Sequence, residues 1–328
     1  MQTSVCHAKL CPRVNDARSA TARKNRSQLK DVALYNRVTR TSSISLVPVV
    51  PRRTVVNSTR SVQSRNRQRL RTNSSTGSVE EGDVDVVSET FSSKLVGKRA
   101  LVAGATGGVG RKLVEQLRAL GVPVVALVRD KSKADGVLLD EGVQIVEGDV
   151  YQYQTLPKAV QDCNVVLCAT GCRPSVDPLG PFNVDYQGTK NLIVAAQRAD
   201  VEHFVFVTSI GTDDILFPLN LFWGVLFWKK RAEEELQRSG LKYTIVRPGG
   251  LKDEPTQASK PGNVVMKGAN EFGLPPKQRP GSILRKQVAE VCINALVEPA
   301  AANKIVEIIA EDEAPYASYG ALFSRVLE

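Results

Sequence analysis

The 328-residue chain has few of the residues that build metal centres and disulfide frameworks. It contains six cysteines and two histidines, and only one histidine, His203, lies beyond residue 7. Six cysteines are too few for a disulfide framework in a chain of this length, and no Cys-x-x-Cys or Cys/His pairing of metal-binding type occurs. Cys163, Cys168 and Cys172 cluster, and two of them lie on or beside a predicted buried strand. We expect buried small residues there, with redox-sensitive thiols as the alternative, and no metal site.

Long apolar runs are also missing. The longest candidate, residues 217–228, includes Pro218, Asn220 and Gly224, and it is shorter than the roughly 20 residues that a membrane-spanning helix needs. No transmembrane helix is therefore predicted. Three interpretations of this aromatic run stay open: the buried or pairing face of the helix before Lys229, a docking patch for a protein partner, or a shallow peripheral contact with a membrane.

Acidic residues are scarce at the start of the chain. Residues 1–78 hold 16 Lys or Arg against Asp16 and Asp31, a balance of +14, whereas residues 79–328 hold 28 basic and 32 acidic residues, a balance of −4. The net charge of +10 therefore belongs to the leader. It gives no support for nucleic-acid binding by the body of the protein.

The leader has the composition of an organelle transit peptide. It is rich in Arg, Ser and Thr, and it lacks the compact apolar core of a secretory signal near the N-terminus. The alternative is a basic arm that stays on the protein and binds anionic surfaces. We expect residues 1–78 to be a disordered transit peptide, 79–96 an acidic linker and 97–328 the folded domain, with processing before about residue 95.

Beyond the linker, short apolar strands alternate with amphipathic helices. The predicted strands are 99–103, 123–128, 143–147, 164–168, 203–208, 242–247 and 304–309. The predicted helices are 109–120, 155–161, 182–198, 229–239, 285–296 and 317–327. Strands that are apolar throughout and separated by helices predict a parallel sheet covered on both faces. The fold class is therefore α/β, a single Rossmann-type doubly wound parallel sheet with ligands at the carboxyl ends of its strands.

A glycine-rich turn between the first strand and the first helix predicts nucleotide binding. Gly104 permits a tight turn, Gly107 lets the backbone approach a pyrophosphate, and Gly110 lets the helix pack closely on its strand. The free N–H groups of the helix then face the phosphates. The whole turn is predicted to bind the cofactor through Gly104, Thr106, Gly107, Gly108, Val109 and Gly110.

The ends of the next three strands supply the rest of the predicted cofactor site. Arg129 stands where an NAD-preferring enzyme usually has an acid, and a guanidinium there favours the 2′-phosphate of NADP. NAD becomes possible if the adjacent Asp130 turns inward. The third strand is followed by Asp149 and Val150, which can place a carboxylate at the adenine edge. The fourth is followed by the small residues Ala169, Thr170 and Gly171.

Taken together, several motifs resemble those of atypical short-chain dehydrogenase/reductase proteins of the NAD(P)-binding, NmrA-like branch. They are Gly104-Ala105-Thr106-Gly107-Gly108-Val109-Gly110, Ala126-Leu127-Val128-Arg129, Gly148-Asp149-Val150, Asn183-Val184-Asp185-Tyr186-Gln187-Gly188-Thr189-Lys190-Asn191 and Arg247-Pro248-Gly249-Gly250. The aromatic run narrows the resemblance to the dehydrogenase-like subunits associated with the plastid inner-envelope protein translocon. That resemblance implies a chloroplast location, stromal or peripheral to a plastid membrane. Its best-known members carry Pro/Ser-rich repeats that bind ferredoxin–NADP reductase, and this partnership is not expected for a sequence without them.

The resemblance also implies which residues could act on a substrate. Ser209 matches the family's serine and Lys229 its lysine, which also holds the cofactor ribose, whereas Val225 occupies the position of the proton-donating tyrosine. Pro248 and Gly249 match the turn that lines the nicotinamide. The expected function is binding of NADP(H) as a redox-sensing or scaffold protein, with weak or no generic carbonyl reduction. The alternative is an NADP-dependent oxidoreductase acting on an unknown small substrate.

Overall fold

The computed structural model describes residues 93–173, 176–253 and 262–327. The predicted transit peptide, residues 1–78, and most of the predicted linker lie outside the described residues. Processing is expected before about residue 95, and nearly all of that range also lies outside the described residues.

Ten strands and six α-helices make up the described part of the chain. The strands are β1 Ala100–Ala103, β2 Val124–Val128, β3 Val143–Glu147, β4 Val165–Cys168, β5 His203–Val207, β6 Tyr243–Pro248, β7 Gly250–Lys252, β8 Asn263–Lys267, β9 Ser282–Leu284 and β10 Lys304–Glu311. The helices are α1 Gly108–Ala119, α2 Leu156–Val160, α3 Thr189–Arg198, α4 Val225–Arg238, α5 Arg285–Val297 and α6 Tyr319–Arg325. No helix among these residues is long and apolar enough to cross a bilayer.

The strands form one sheet in the order β3-β2-β1-β4-β5-β6-β10-β9-β7, and β8 pairs with β10. The seven strands from β3 to β10 pair in parallel, as predicted. The chain leaves β1 toward β2 on one side and returns to β4 on the other, so the strand order reverses between β1 and β4. A reversal of this kind opens a crevice at the carboxyl ends of the strands, where doubly wound proteins bind ligands.

The core consists of two apolar layers, one on each face of the sheet. Along β1, Ala100 and Val102 face the layer that contains α1 and α5, whereas Leu101 and Ala103 face the layer that contains α2, α3 and α4. Because successive side chains of a strand point to opposite faces, a strand covered on both sides must be apolar throughout. This accounts for the run of fully buried residues in β1 and confirms the predicted doubly wound α/β fold.

Three features of the fold differ from the sequence prediction. The segment 182–198 is not one α-helix, because residues 182–188 form a π-helical stretch before α3. Helix α4 begins at Val225 and not at Lys229. Residues 250–284, which carry no recognisable pattern, contribute the three strands β7 to β9. Two of these pair antiparallel with β10, so the sheet is mixed at this end.

Candidate cofactor site and the adjoining cavity

Two adjoining cavities open at the carboxyl ends of the strands. The first lies against the glycine-rich turn, and the predicted cofactor residues that line it are Gly104, Thr106, Gly107, Arg129, Asp149, Val150, Ala169, Thr170 and Gly171. The second has a volume of about 560 Å³, and the predicted residues that line it are Gly107, Gly108, Val109, Ala169, Thr170, Gly171, Ser209 and Lys229. The structure therefore brings most of the predicted site together around one cleft. Gly110, Pro248 and Gly249 line neither of these two cavities.

The glycine-rich turn has the geometry that its sequence predicts. Gly104 has φ +81°, and a Cβ there would lie 2.6 Å from the carbonyl oxygen of Ala169. A Cβ on Gly110 would lie 2.1 Å from the carbonyl oxygen of Gly104, so only glycine lets α1 start this close to the turn. Gly107 caps α1 without a side-chain hydrogen bond. The first N–H groups of the helix are thus left for an anion, which fits a dinucleotide pyrophosphate.

Arg129 and Asp130 point to different surroundings. Arg129 lines the first cavity and makes no hydrogen bond or ion pair with any residue that the structure describes. One Asp130 oxygen accepts hydrogen bonds from Ser132 N at 3.0 Å and Ser132 Oγ at 2.6 Å, and the other lies 3.4 Å from Lys133 Nζ. The hydrogen bonds from Ser132 hold the pKa of Asp130 below its usual value. The Asp130 carboxylate is therefore hydrogen-bonded within its own turn, whereas the Arg129 guanidinium lies at the cleft.

Lys229 is held in place by a buried carboxylate that the sequence analysis did not identify. Its Nζ lies 2.7 Å from Oδ1 of Asp185, whose side chain is 0% exposed. The other Asp185 oxygen accepts a hydrogen bond of 3.2 Å from the backbone N–H of Cys172. Asp185 lies in the motif that carries the family resemblance, and it is the one acidic residue of that motif, which is the signal that could have marked it. The pair fixes a cation at the wall of the second cavity.

The other predicted catalytic positions surround the same cavity. Ser209 follows β5, and its Oγ donates a hydrogen bond to the carbonyl oxygen of Ile210 at 3.1 Å. Val225 and Lys229 lie one helical turn apart on α4, and both line the second cavity. A valine has no proton to donate. The cavity therefore holds a serine hydroxyl and a lysine ammonium, with an aliphatic side chain at the position expected for the tyrosine.

Tyr186 does not replace the missing proton donor at the cleft. Its hydroxyl donates a hydrogen bond of 3.2 Å to Oε1 of Glu235, and its ring centroid lies 5.8 Å from the centroids of both Phe182 and Trp228. The tyrosine, which lies on the π-helical stretch, is thus packed against α4. It lines neither of the two cavities.

A buried charge cluster that the sequence analysis missed supports the floor of the second cavity. The guanidinium of Arg247, at the end of β6, donates hydrogen bonds to both Glu233 oxygens at 3.0 and 2.6 Å and to Glu307 at 3.3 Å, and it also pairs with Asp213. Burial alone would lower the pKa of Arg247, but the hydrogen bonds and charge of Glu233 outweigh this and raise it. Thr208, which lines the cavity, donates to Glu233 at 2.6 Å. The one charged residue in the otherwise uncharged strand β6, Arg247, is the sequence feature that could have indicated a buried charge cluster.

Pro248 and Gly249 are placed away from the cleft. A Cβ on Gly249 would lie 2.4 Å from the carbonyl oxygen of Gly281, so the turn after β6 packs against the segment before β9. The second cavity instead receives Leu251 from the following strand, β7. This placement gives the two residues no contact with the cavities in which the other predicted cofactor residues lie.

The four cysteines of the body are free, and burial favours their thiol form. Cys163, Cys168 and Cys292 are buried, and burial raises the pKa of Cys163 to about 11. Burial, followed by the charges of Asp185 and Asp177, also raises the pKa of the half-buried Cys172. Across the described ranges, no group of three or more His, Cys, Asp or Glu side chains has a metal-binding arrangement.

Asn220 organises the segment that roofs the second cavity. Its Oδ1 accepts hydrogen bonds of 3.0 Å from the N–H groups of Leu226 and Phe227, so it caps α4 from five residues before the helix begins at Val225. Its Nδ2 donates to the carbonyl oxygens of Asp214 at 3.2 Å and Ile215 at 3.1 Å. Because this cap does not directly precede the helix, the sequence prediction began α4 too late, at residue 229.

Comparison with known proteins identifies the family. A family model described as NAD(P)H-binding matches residues 104–299. An uncharacterised chloroplastic protein of Arabidopsis thaliana is 43% identical over 241 residues, which cover 70% of this chain and 82% of that protein. The protein TIC 62, chloroplastic, of Pisum sativum is 40% identical over 249 residues, which cover 69% of this chain but only 45% of the pea protein.

A solved structure agrees with these sequence relatives. A putative NAD-dependent epimerase/dehydratase from Bacillus halodurans superposes with a TM-score of 0.58 at 29% identity, covering 70% of this chain and all of that chain. The glycine-rich turn and the residues that line the two cavities lie within residues 104–299, which the family model matches. The chain therefore belongs to the NAD(P)H-binding family of atypical short-chain dehydrogenase/reductase proteins.

Proposed function

We propose that this protein binds NADP(H) in the first cavity and serves as a redox-sensing or scaffold protein with little generic carbonyl reduction. The observation that carries the cofactor assignment is a contrast: Arg129 lines the first cavity without a hydrogen bond or ion pair to any described residue, whereas Asp130 is held in its own turn. An unpaired guanidinium at this strand end can form charge-assisted hydrogen bonds with a 2′-phosphate, whereas NAD offers it only a hydroxyl.

The remaining first-cavity residues, together with Lys229 of the adjoining second cavity, fit the rest of a dinucleotide. The N–H groups at the start of α1 would hold the pyrophosphate, Asp149 and Val150 would flank the adenine, and Lys229 would hold ribose hydroxyls. When bound, the cofactor supplies a hydride. Reduction of a carbonyl also needs a proton donor, and Val225 provides none. The Ser209 hydroxyl is a weak acid, and the Lys229 ammonium is already paired with Asp185.

Calorimetric titration of the full chain with NADPH and NADH tests the cofactor assignment. We expect NADPH to bind more tightly, and Arg129→Ala to remove about 1.5–3 kcal/mol of NADPH binding while leaving NADH nearly unchanged. Lys131→Ala is the matched control, because Lys131 is an exposed cation two residues away that does not line the first cavity. Equal losses of NADPH and NADH affinity in Arg129→Ala would reject the assignment.

Oxidation of NADPH in the presence of generic aldehydes and ketones tests the proposed lack of reduction. General acid catalysis usually contributes a factor of about 10²–10⁴, so turnover without it should be negligible. Robust ketone turnover that survives both Tyr186→Phe and Ser209→Ala would show that the catalytic residues lie elsewhere.

A second candidate function is NADP-dependent reduction of an unidentified small substrate. The observation that favours it is the second cavity, which brings Ser209 and Lys229 to one wall of a space large enough for a small molecule. A screen of carbonyl and quinone compounds for NADPH oxidation separates the two candidates. A substrate whose turnover is lost in Ser209→Ala would favour the enzyme.

We place the protein in the chloroplast, in the stroma or peripheral to a plastid membrane. The basic leader and the relatives named as chloroplastic support this location. Residues 217–228 are the candidate contact for a protein partner or a membrane. Mass determination of the N-terminus of protein from isolated chloroplasts should find it before about residue 95, and a full-length protein recovered from the cytosol would contradict the location.

A further inference from the structure

The second cavity carries more positive charge than the lysine that is assigned to the cofactor. Arg173, Lys229 and Arg285 line it, and no carboxylate lines it within the described part of the chain. The charge of Lys229 is balanced from behind by Asp185 at 2.7 Å. Arg285 pairs with Asp253 at 2.7 Å, but the Asp253 side chain is 87% exposed, so water screens this pair strongly. Arg285 thus keeps much of its charge for a ligand.

Arg285 is built into the cavity and does not extend freely into solvent. It is the first residue of α5, and its side chain is 27% exposed. Its stem lies on the start of α1, because a Cβ on Gly108 would come within 2.5 Å of Arg285 Cδ. The guanidinium is therefore directed by packing to the wall of the second cavity.

The opposite side of the cavity is apolar and aromatic. Leu219, Phe222 and Trp223 line it, although 42%, 54% and 50% of their surfaces remain exposed. Trp223 has φ +56°, which is rare for a bulky residue, and Asn220 holds both ends of the segment. An aromatic residue kept in an uncommon backbone conformation, beside a cavity and half exposed, is typical of a ligand-contact position.

We propose that the second cavity is a binding site for an aromatic organic anion. Arg285 binds the carboxylate or sulfonate of this ligand, and Phe222 and Trp223 cover its rings. The proposal rests on the proposed function in one respect: the cofactor is assigned to the first cavity, the start of α1 and Lys229, which leaves the side of the second cavity lined by Arg285, Phe222 and Trp223 for a separate ligand. Charge and shape both favour this class, since a cation-lined cavity with an aromatic roof discriminates against cationic and small polar molecules.

Two fluorescent probes that differ in charge test the proposal on the full chain. Anilinonaphthalene sulfonate is an aromatic anion, and N-phenylnaphthylamine is its uncharged counterpart. We expect Arg285→Gln to weaken the sulfonate about tenfold, as expected for loss of one charge-assisted hydrogen bond, and to change the uncharged probe less than about twofold. Lys286→Gln is the matched control, because it removes the same charge from an exposed neighbour and should change neither probe. Phe222→Ala should weaken both probes.

Calorimetry with NADPH on the same variants separates this proposal from the proposed function. Arg285→Gln should keep NADPH affinity within about threefold of the parent. If Arg285→Gln weakens NADPH as much as the sulfonate, Arg285 serves the cofactor and the proposal is wrong. Equal losses of the two probes, or no loss of the sulfonate, also overturn it. Failure of the parent chain to bind NADPH would reject the proposed function, while the probe comparison would still decide the anion site.

Discussion

Removal of Lys229 is expected to have two effects that can be separated, one on stability and one on cofactor binding. Lys229→Met deletes the cation that lies 2.7 Å from a carboxylate with no exposed side-chain surface. The Asp185 carboxylate then keeps the hydrogen bond of 3.2 Å from the backbone N–H of Cys172 but has lost the cation that balanced its charge. Breaking a buried ion pair by removing one partner costs about 3–5 kcal/mol, because the other charge stays buried. For a domain of this size that corresponds to a fall in Tm of about 6–20 °C.

Removal of both charges should restore stability without restoring binding. Replacement of a complete buried pair by neutral side chains is often close to neutral, so Asp185→Asn combined with Lys229→Met should recover most of the lost stability. The same double variant still lacks the ammonium assigned to the ribose. We therefore expect Lys229→Met and the double variant to show the same loss of NADPH affinity.

Thermal unfolding and NADPH fluorescence titration of the two single variants and the double variant form the complete experiment. Lys112→Met, which removes a partly exposed lysine that pairs with Glu115 on α1, controls for loss of one positive charge. A double variant that binds NADPH as tightly as the parent would show that Lys229 does not contact the cofactor. A single variant as stable as the parent would refute the buried-pair reasoning.

Three further predictions concern stability. Burial lowers the pKa of His203 from 6.5 to about 4, so between these pH values the unfolded chain binds a proton that the folded chain does not. The free energy of unfolding should therefore fall by about 3 kcal/mol as the pH drops from 6.5 to 4. His203→Gln should remove this pH dependence, measured by urea unfolding. Arg247→Met leaves Glu233 and its neighbouring carboxylates buried without their cation and should cost about 3–5 kcal/mol in urea unfolding, whereas the exposed Arg238→Met should cost less than about 1. Asn220→Ala should cost about 1 kcal/mol and speed proteolysis within residues 215–224, and unchanged cleavage there would contradict the capping role.

The parallel core of the sheet could be predicted because each of its strands has a recognisable pattern in its own residues. Strands such as β1 and β2 are apolar throughout and stand between helices, and that pattern depends only on neighbouring residues. Strands β7 and β9 have three residues each, and β9 is held in the sheet by pairing with the distant β10 and with β7. Non-local pairing leaves no local pattern, so these strands could not be predicted.

The candidate site was predictable where it follows strand ends and unpredictable where it depends on partners distant in sequence. Residues after successive parallel strands must meet at one edge of the sheet, which is why Arg129 and Asp149 share a cavity. The pairing of Lys229 with Asp185 joins two helical segments that are distant in sequence. Arg285 enters the second cavity from a helix that follows residues without a recognisable pattern. Neither contact can be inferred from spacing in one sequence.

We propose that NADP(H) binds with its adenosine half in the first cavity and its 2′-phosphate at Arg129. A crystal structure of the full chain with NADPH tests it most directly. We expect a 2′-phosphate oxygen within hydrogen-bond distance of the Arg129 guanidinium and the pyrophosphate on the N–H groups at the start of α1. A 2′-phosphate that makes no contact with Arg129, or a dinucleotide bound outside the first cavity, would contradict it.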